Sequence, residues 1–248
     1  MPLRAILFDL GQTLLDYGPQ SRWPEFRIRR MVELYPLACE LWGELGMEAA
    51  EFGQVVGAGL QTDQFRAIEH SGLSLPFARR MREALAAIGV EPEDGALHRL
   101  VEAFNEPIRS WPQAYPDTKP SLHRLRALGV KLAVITNAPW DTPGRMLYSD
   151  LERSGMAHLF EAFVASGDVP WRKPNPEFMW AAARSLACPP ERCLVVGDNL
   201  MADIGGARAA GMRSVWMNRS GAVAPPGSPA PDWVARSLEE VVRIVAQG

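Results

Sequence analysis

The sequence predicts an α/β fold: a Rossmann-like parallel sheet with helices on both faces, carrying an inserted all-helical domain. Three observations predict it. Five short apolar runs, residues 5–8, 131–135, 162–165, 193–196 and 214–217, read as buried strands that stop at polar or glycine positions. Helix-period stretches alternate with the later runs, and that alternation belongs to a parallel sheet covered on both faces. Between about residues 18 and 111 the alternation lapses into helix-period segments with no convincing strand.

In order, the helical stretches of the α/β part are residues 120–128, 143–154, 176–186 and 203–210. A last helix spans 237–245, with Ser237 as its N-cap and Glu240 three residues on, a capping box. Helices are expected over 32–45, 54–68, 77–88 and 97–108 in the inserted block. Tyr17-Gly18-Pro19 and the segment from Trp111-Pro112 to Pro116 frame that block as two hinges. The predicted division is therefore 1–17 and 112–248 for the α/β core and 18–111 for a helical cap. Residues 222–231, rich in Pro, Gly and Ala, read as a surface loop.

Bulk properties narrow the function classes. The chain has 248 residues, 47% hydrophobic and 22% charged, with a net charge of -3. That is ordinary globular usage and gives no basic field for a nucleic-acid partner. The N-terminal apolar run is short and broken by Arg4 and Asp9, so neither a signal peptide nor a membrane span is expected. Three cysteines match no zinc spacing and suit reduced thiols in the cytoplasm. A monomer or homodimer is expected.

In an open parallel sheet, ligands gather at the carboxyl ends of the strands. Here those ends carry Asp9, then Thr136-Asn137, then Lys173, then Asp198 with Asp203 five residues beyond. Each residue alone has a plain structural explanation, such as a turn, a strand end or a helix cap. Together they put three carboxylates at one sheet edge. At about 4 Å and an effective dielectric near 20, each pair repels by about 4 kcal/mol unless a cation joins them. Oxygen ligands of this kind suit Mg²⁺. Lys173 adds a positive charge for an anionic oxygen, Thr136 a hydroxyl donor, and Asp9 a carboxylate free to attack.

These pieces resemble the haloacid dehalogenase superfamily, in its branch with a helical cap after the first strand. The matching segments are Ile6-Leu7-Phe8-Asp9-Leu10-Gly11-Gln12-Thr13-Leu14, Ala133-Val134-Ile135-Thr136-Asn137, Arg172-Lys173-Pro174 and Val195-Val196-Gly197-Asp198-Asn199 through Asp203. The resemblance implies a phosphatase acting on a small phosphorylated metabolite, with Asp9 as nucleophile. It implies phosphate binding by Thr136, the Asn137 backbone and Lys173, and Mg²⁺ held by Asp9, the Gly11 carbonyl, Asp198 and Asp203.

One position departs from the pattern. Most phosphatases of this superfamily carry a second aspartate two residues after the nucleophile, which protonates the leaving group; here that position is Gly11. Two alternatives therefore stand beside the phosphatase. One is a 2-haloacid dehalogenase using the same Asp9 and Lys173 without a metal. The other is a catalytically impaired protein that binds a phosphorylated ligand. Asp16 or a cap residue could supply the missing proton. Arg22, Arg27, Arg29 and Arg30, near Trp23 and Phe26, form a candidate substrate entrance, and Trp140 and Trp171 are candidate pocket walls. The small residues Gly205, Gly206 and Ala207 imply close packing of the helix after Asp203.

Overall fold

The computed structural model describes residues 2–18, 23–106 and 112–247. Its strands are β1 (Ala5–Phe8), β2 (Leu15–Asp16), β3 (Gln113–Ala114), β4 (Lys131–Thr136), β5 (Ala162–Ala165), β6 (Cys193–Gly197), β7 (Arg213–Met217) and β8 (Trp233–Ala235). Its helices are α1 (Trp23–Glu33), α2 (Tyr35–Trp42), α3 (Ala49–Gly59), α4 (Asp63–His70), α5 (Phe77–Ala86), α6 (Asp94–Asn105), α7 (Thr118–Ala127), α8 (Gly144–Arg153), α9 (Pro176–Ser185), α10 (Gly205–Ala209) and α11 (Leu238–Gln247).

Six strands form one all-parallel sheet in the order β5-β4-β1-β6-β7-β8. β1 is central, with Phe8 opposite Val134 on one side and Val196 on the other. Its four residues are fully buried and alternate between two cores. Ile6 and Phe8 pack with Leu122 and Leu125 of α7 and Val241 of α11. Ala5 and Leu7 pack with Phe178 and Met179 of α9 and Ala207 of α10. Each large apolar side chain so buried contributes about 1.5–3 kcal/mol.

The five expected strands are present, and three more lie outside the expectation. β8 adds a sixth strand beyond the exposed loop, at the sheet edge. β2 and β3 pair antiparallel across the two chain passages into the helical block. Ser237 caps α11, its hydroxyl accepting from the Glu240 amide at 3.3 Å. The capping box is displaced by one residue, because the Glu240 carboxylate takes the Arg236 amide rather than that of Ser237.

Among the described residues the inserted block between 23 and 106 is built of helices joined by turns, with a single bridge residue at Leu73. The run expected over 32–45 holds α2, while α1 lies almost wholly before it with a break at Leu34-Tyr35-Pro36 between them, and the run expected over 54–68 divides into α3 and α4. Proline at the first turn of α2 cannot continue α1, which explains the first break. Gly57 lets α3 cross α1 closely: a Cβ there would lie 2.8 Å from the Ile28 Cα. The block has its own core, including Phe26, Phe52, Phe77 and Phe104, and Trp140 enters it from the segment after β4. Trp140 sits 5.2 Å from Trp23 and 5.6 Å from Phe104, ring centre to ring centre.

A buried polar seam joins the block to the α/β part. Leu73 and Trp171 form an antiparallel bridge, with the Arg172 amide donating to the Gly72 carbonyl at 3.0 Å. Asp141 lies beneath it, fully buried. Its carboxylate accepts from the Leu75 amide at 2.9 Å, the Ser166 hydroxyl at 2.5 Å and the Arg80 guanidinium at 2.9 Å, with Arg172 at 3.2 Å. Glu69 bridges the same two arginines, at 2.8 and 3.1 Å. Trp140 and Asp141 both have left-handed backbones, φ 51 and 56, a conformation costing about 1–2 kcal/mol per residue. The carboxylate's hydrogen bonds and the buried indole offset that strain.

Removing one partner from a buried ionic network costs about 3–5 kcal/mol. Asp141→Asn keeps shape and tolerates the left-handed backbone. It is expected to lose about 3 kcal/mol in urea denaturation, and a loss below about 1 kcal/mol would show that the seam does not hold the two parts together.

Candidate active site

Asp9 follows β1 directly, its amide donating to the Val196 carbonyl at 2.8 Å, so the sheet register fixes it beside the end of β6. Thr136 ends β4 and Gly197 ends β6, on either side of it. The structure thus places Asp9, Gly11, Thr136, Asn137, Lys173, Asp198 and Asp203 around one cavity of about 160 Å³. Every residue expected at the site lines it. This is the crevice where the strand order reverses, with β4 on one side of β1 and β6 on the other.

Lys173 is the centre of the charge arrangement. Its ammonium is buried and donates to Asp9 Oδ1 at 2.5 Å, Asp203 Oδ1 at 2.7 Å and the Ile135 carbonyl at 3.2 Å. Burial alone would lower its pKa, but Asp203 and Asp9 outweigh that and hold it above the ordinary lysine value. The Asn137 side chain fixes its backbone from both sides: the Lys173 amide donates to Asn137 Oδ1 at 2.8 Å, and Asn137 Nδ2 donates to the Lys173 carbonyl at 2.9 Å. Asn175 then caps α9 behind it, accepting from the Glu177 amide at 3.0 Å, with Pro176 in the first turn.

Asp203 does not cap a helix. It is fully buried in a π-helical turn, Leu200–Ile204, and its second oxygen accepts from the Asn199 amide at 3.0 Å. Asn199 caps that turn through the amides of Met201 and Ala202. Only glycine at 197 permits this arrangement, since a Cβ there would fall 2.2 Å from the Asp203 carboxyl carbon. The small face of α10 packs closely through Gly206, where a Cβ would meet Met179 at 2.5 Å and the Pro174 Cα at 3.2 Å.

The Asp9, Asp198 and Asp203 carboxylates each offer an oxygen within 4.8 Å of the others. Burial pushes Asp198 up to about 8, with Asp9 and then Asp203 adding to the shift. Burial likewise raises Asp9 to about 6, with Lys173 pulling downward and Asp203 upward. These shifts mark a site with more negative charge than its one lysine balances. The donor set therefore fits a hard divalent cation.

The described arginines suggested for the substrate entrance do not line the cavity. Arg29 pairs with Glu33, and Arg30 binds Glu33 and the Phe104 carbonyl. Arg27 sits 5.8 Å over the Trp140 ring. Arg22 lies outside the described residues. Trp140 is buried in the helical core and Trp171 is in the seam, so neither lines the cavity; Trp23 does, with Tyr17, Pro139 and Leu147. Asp16 is exposed and accepts from the Gly18 amide at 2.7 Å. The Asn137 clamp, the Asp141 seam and the Tyr17 wall carried no sequence signal beyond residue type, whereas Trp23 falls at the suggested entrance.

Comparison with known proteins agrees with this geometry. Residues 3–211 match the haloacid dehalogenase-like hydrolase family. The phosphoserine phosphatase of Thermus thermophilus is 32% identical over 244 residues, covering 96% of this chain and 90% of its own. The glyceraldehyde 3-phosphate phosphatase of Methanopyrus kandleri is 30% identical over 221 residues, covering 88% and 84%. Among solved structures, a 2-haloacid dehalogenase from Pseudomonas syringae pv. Tomato superposes with a TM-score of 0.70 at 25% identity, covering 99% of each chain. The chain belongs to the haloacid dehalogenase-like hydrolases, in the helical-cap branch that contains phosphatases.

Proposed function

We propose that the chain is a Mg²⁺-dependent phosphomonoester hydrolase of the cytoplasm that acts on a small phosphorylated metabolite through an aspartyl-phosphate on Asp9. The observation that carries this reading is the burial of the Lys173 ammonium between Asp9 and Asp203, with Asp198 alongside. Three carboxylates against one ammonium leave two negative charges, which a divalent ion balances. Free Cys39, Cys188 and Cys193 suit a reducing compartment, and no described helix is long and apolar enough to cross a membrane. We take 18–111 as the cap and 1–17 with 112–248 as the catalytic core.

Lys173 holds one Asp9 oxygen, which leaves the other to attack phosphorus. The Thr136 hydroxyl and the Asn137 amide, at the end of the adjacent strand, donate to the phosphoryl oxygens. A bond forms from Asp9 to phosphorus, the ester bond breaks, and its electron pair leaves with the alcohol oxygen. Water then attacks phosphorus, releasing phosphate and regenerating Asp9. A bound magnesium ion would supply charge neutralisation at the phosphoryl oxygens, with Asp9, the Gly11 carbonyl, Asp198 and Asp203 as its protein ligands. Asp203 also accepts from Lys173 and the Asn199 amide, and so positions those groups. The carboxylate trio favours this reading over the dehalogenase, which the resemblance describes as working without a metal.

Turnover of acetyl phosphate or p-nitrophenyl phosphate is expected to vanish in excess chelator and return with Mg²⁺; full activity in chelator would revive the dehalogenase. Asp9→Asn is expected to fold, since Asp203 still partners Lys173, and to lose about 10⁴-fold or more in kcat. Beryllofluoride should label Asp9 in the parent, and retention of a tenth of the activity would place the nucleophile elsewhere.

Protonation adds a stability prediction. Asp198 titrates at about 8 in the folded, metal-free chain against a usual 3.8. The folded state therefore keeps a proton that the unfolded state has released, and metal-free stability falls as pH rises through that window. Asp198→Asn removes this penalty. Its metal-free Tm should exceed that of the parent at pH about 9, converge with it near pH 4, and fail to rise with Mg²⁺.

A further inference from the structure

The cavity has a charged floor and an apolar wall. Beyond the strand-end residues it is lined by Tyr17, Trp23, Pro139 and Leu147. Among the described lining residues the one cation is Lys173, and Asp9 and Asp203 already engage it. The arginines of α1 that are described point elsewhere. A leaving group bearing its own carboxylate would find no counter-charge among the described residues of this wall, and it would face the Asp198 carboxylate. An uncharged ring would find two aromatic side chains and a leucine. The volume, about 160 Å³, is on the scale of a cavity of about 150 Å³ that holds one benzene ring, so phosphate and ring together reach its mouth.

A second observation points the same way. Gly11 stands where an acid would protonate the departing oxygen. Its backbone is not left-handed, and a Cβ there would lie 3.5 Å from the Tyr17 ring, an ordinary contact. The Tyr17 ring thus borders the space an acid would occupy. Its hydroxyl is turned away and donates to Asp150 at 2.7 Å. Asp16 is outside the cavity. With Asp9 and Asp198 taken as magnesium ligands, no described lining group is left to donate a proton, and the leaving oxygen departs as an anion. A phenol ionises near about 10, as tyrosine does, whereas an alkyl alcohol lies nearer to water at about 15.7.

We propose that this site is specialised for aryl phosphate monoesters with an uncharged ring: the wall of Tyr17, Trp23, Pro139 and Leu147 holds the ring, and Gly11 leaves it to depart as phenoxide. The inference rests on the phosphatase reading above. Nucleophilic attack by Asp9 and loss of the phenoxide balance without a proton at the ester oxygen, and the phenoxide takes a proton from water after it has left.

The test compares kcat/KM, which reports the first irreversible step, for phenyl phosphate, cyclohexyl phosphate and phosphoserine, with acetyl phosphate as control. Phenyl phosphate is expected to exceed cyclohexyl phosphate, of like size, by about 10²- to 10⁴-fold, and phosphoserine is expected to be poorest. Gly11→Asp should narrow the phenyl-to-cyclohexyl gap by raising the cyclohexyl rate. Trp23→Ala should raise KM for phenyl phosphate about 2- to 10-fold. Phosphoserine turned over as well as phenyl phosphate would overturn the inference and leave the phosphatase reading intact. So would equal rates for phenyl and cyclohexyl esters, or an unimproved cyclohexyl rate in a Gly11→Asp protein of unchanged Tm. No phosphate released from any of the four compounds would instead remove the phosphatase reading itself.

Discussion

A buried ammonium ion is the constraint on which the site depends. Moving Lys173 out of water costs several kcal/mol unless its charge and its hydrogen-bonding protons are answered. Asp9, Asp203 and the Ile135 carbonyl answer them. Each of those partners is in turn held by backbone. Asp9 is fixed by the register of β1 against β6, and Asp203 by the Asn199 amide across a Gly197 that leaves it room. Lys173 itself is fixed by the reciprocal bonds with Asn137. The ends of β1, β4 and β6 and the segment after β5 thus converge on one ammonium, and a displacement of any one strands a charge.

The seam at Asp141 ties this centre to the helical block. The chain leaves Thr136-Asn137 at the cavity and, after Ala138 and Pro139, passes through two left-handed residues. Trp140 goes into the helical core and Asp141 goes under Arg80 and Arg172. Arg172 is the residue before Lys173. The block is therefore fastened by the β2–β3 pair at its chain passages and again by the seam on the far side. Tertiary contacts, more than helix propensity, hold this part of the block in place.

How far the sequence could be read follows from the range of the interactions. Buried parallel strands are continuous apolar runs, and the residues just past them fall at the ligand edge by topology alone. That is why Asp9, Thr136, Asn137 and Asp198 lie where their strand ends put them, while Lys173 and Asp203, farther along the chain, are held by Asn137 and the Asn199 amide. The three-residue β8 and the two-residue β2 and β3 carry too little pattern to separate from loops. The α1–α2 break was hidden because Leu34 and Leu37 sustain an apolar period through Pro36. The seam joins Asp141 to Leu75 and Arg80, more than sixty positions apart, and no local pattern encodes such a pairing. Trp140 illustrates the same limit: proximity to Asn137 in sequence suggested a pocket wall, while the left-handed turn carries the indole the other way.

Nucleophile and wall are parts of one strap. The nine residues from Asp9 to Tyr17 leave the sheet, turn at Gln12 in a left-handed conformation (φ 58), and return along β2. Gln12 closes that turn with its side chain, accepting from the Tyr17 amide at 3.1 Å and donating to the Gly18 carbonyl at 3.2 Å. Asp150 of α8 then fixes the far end by the Tyr17 hydroxyl, whose pKa burial and that carboxylate hold well above 10. The ring consequently has neither a free rotor nor a free proton to offer the cavity. Its face is what remains, set beside Gly11 by the same turn that sets Asp9. In this chain Gly11, the Tyr17 ring and the Asp9 carboxylate are positioned by one short segment, so a change in the turn would move all three together.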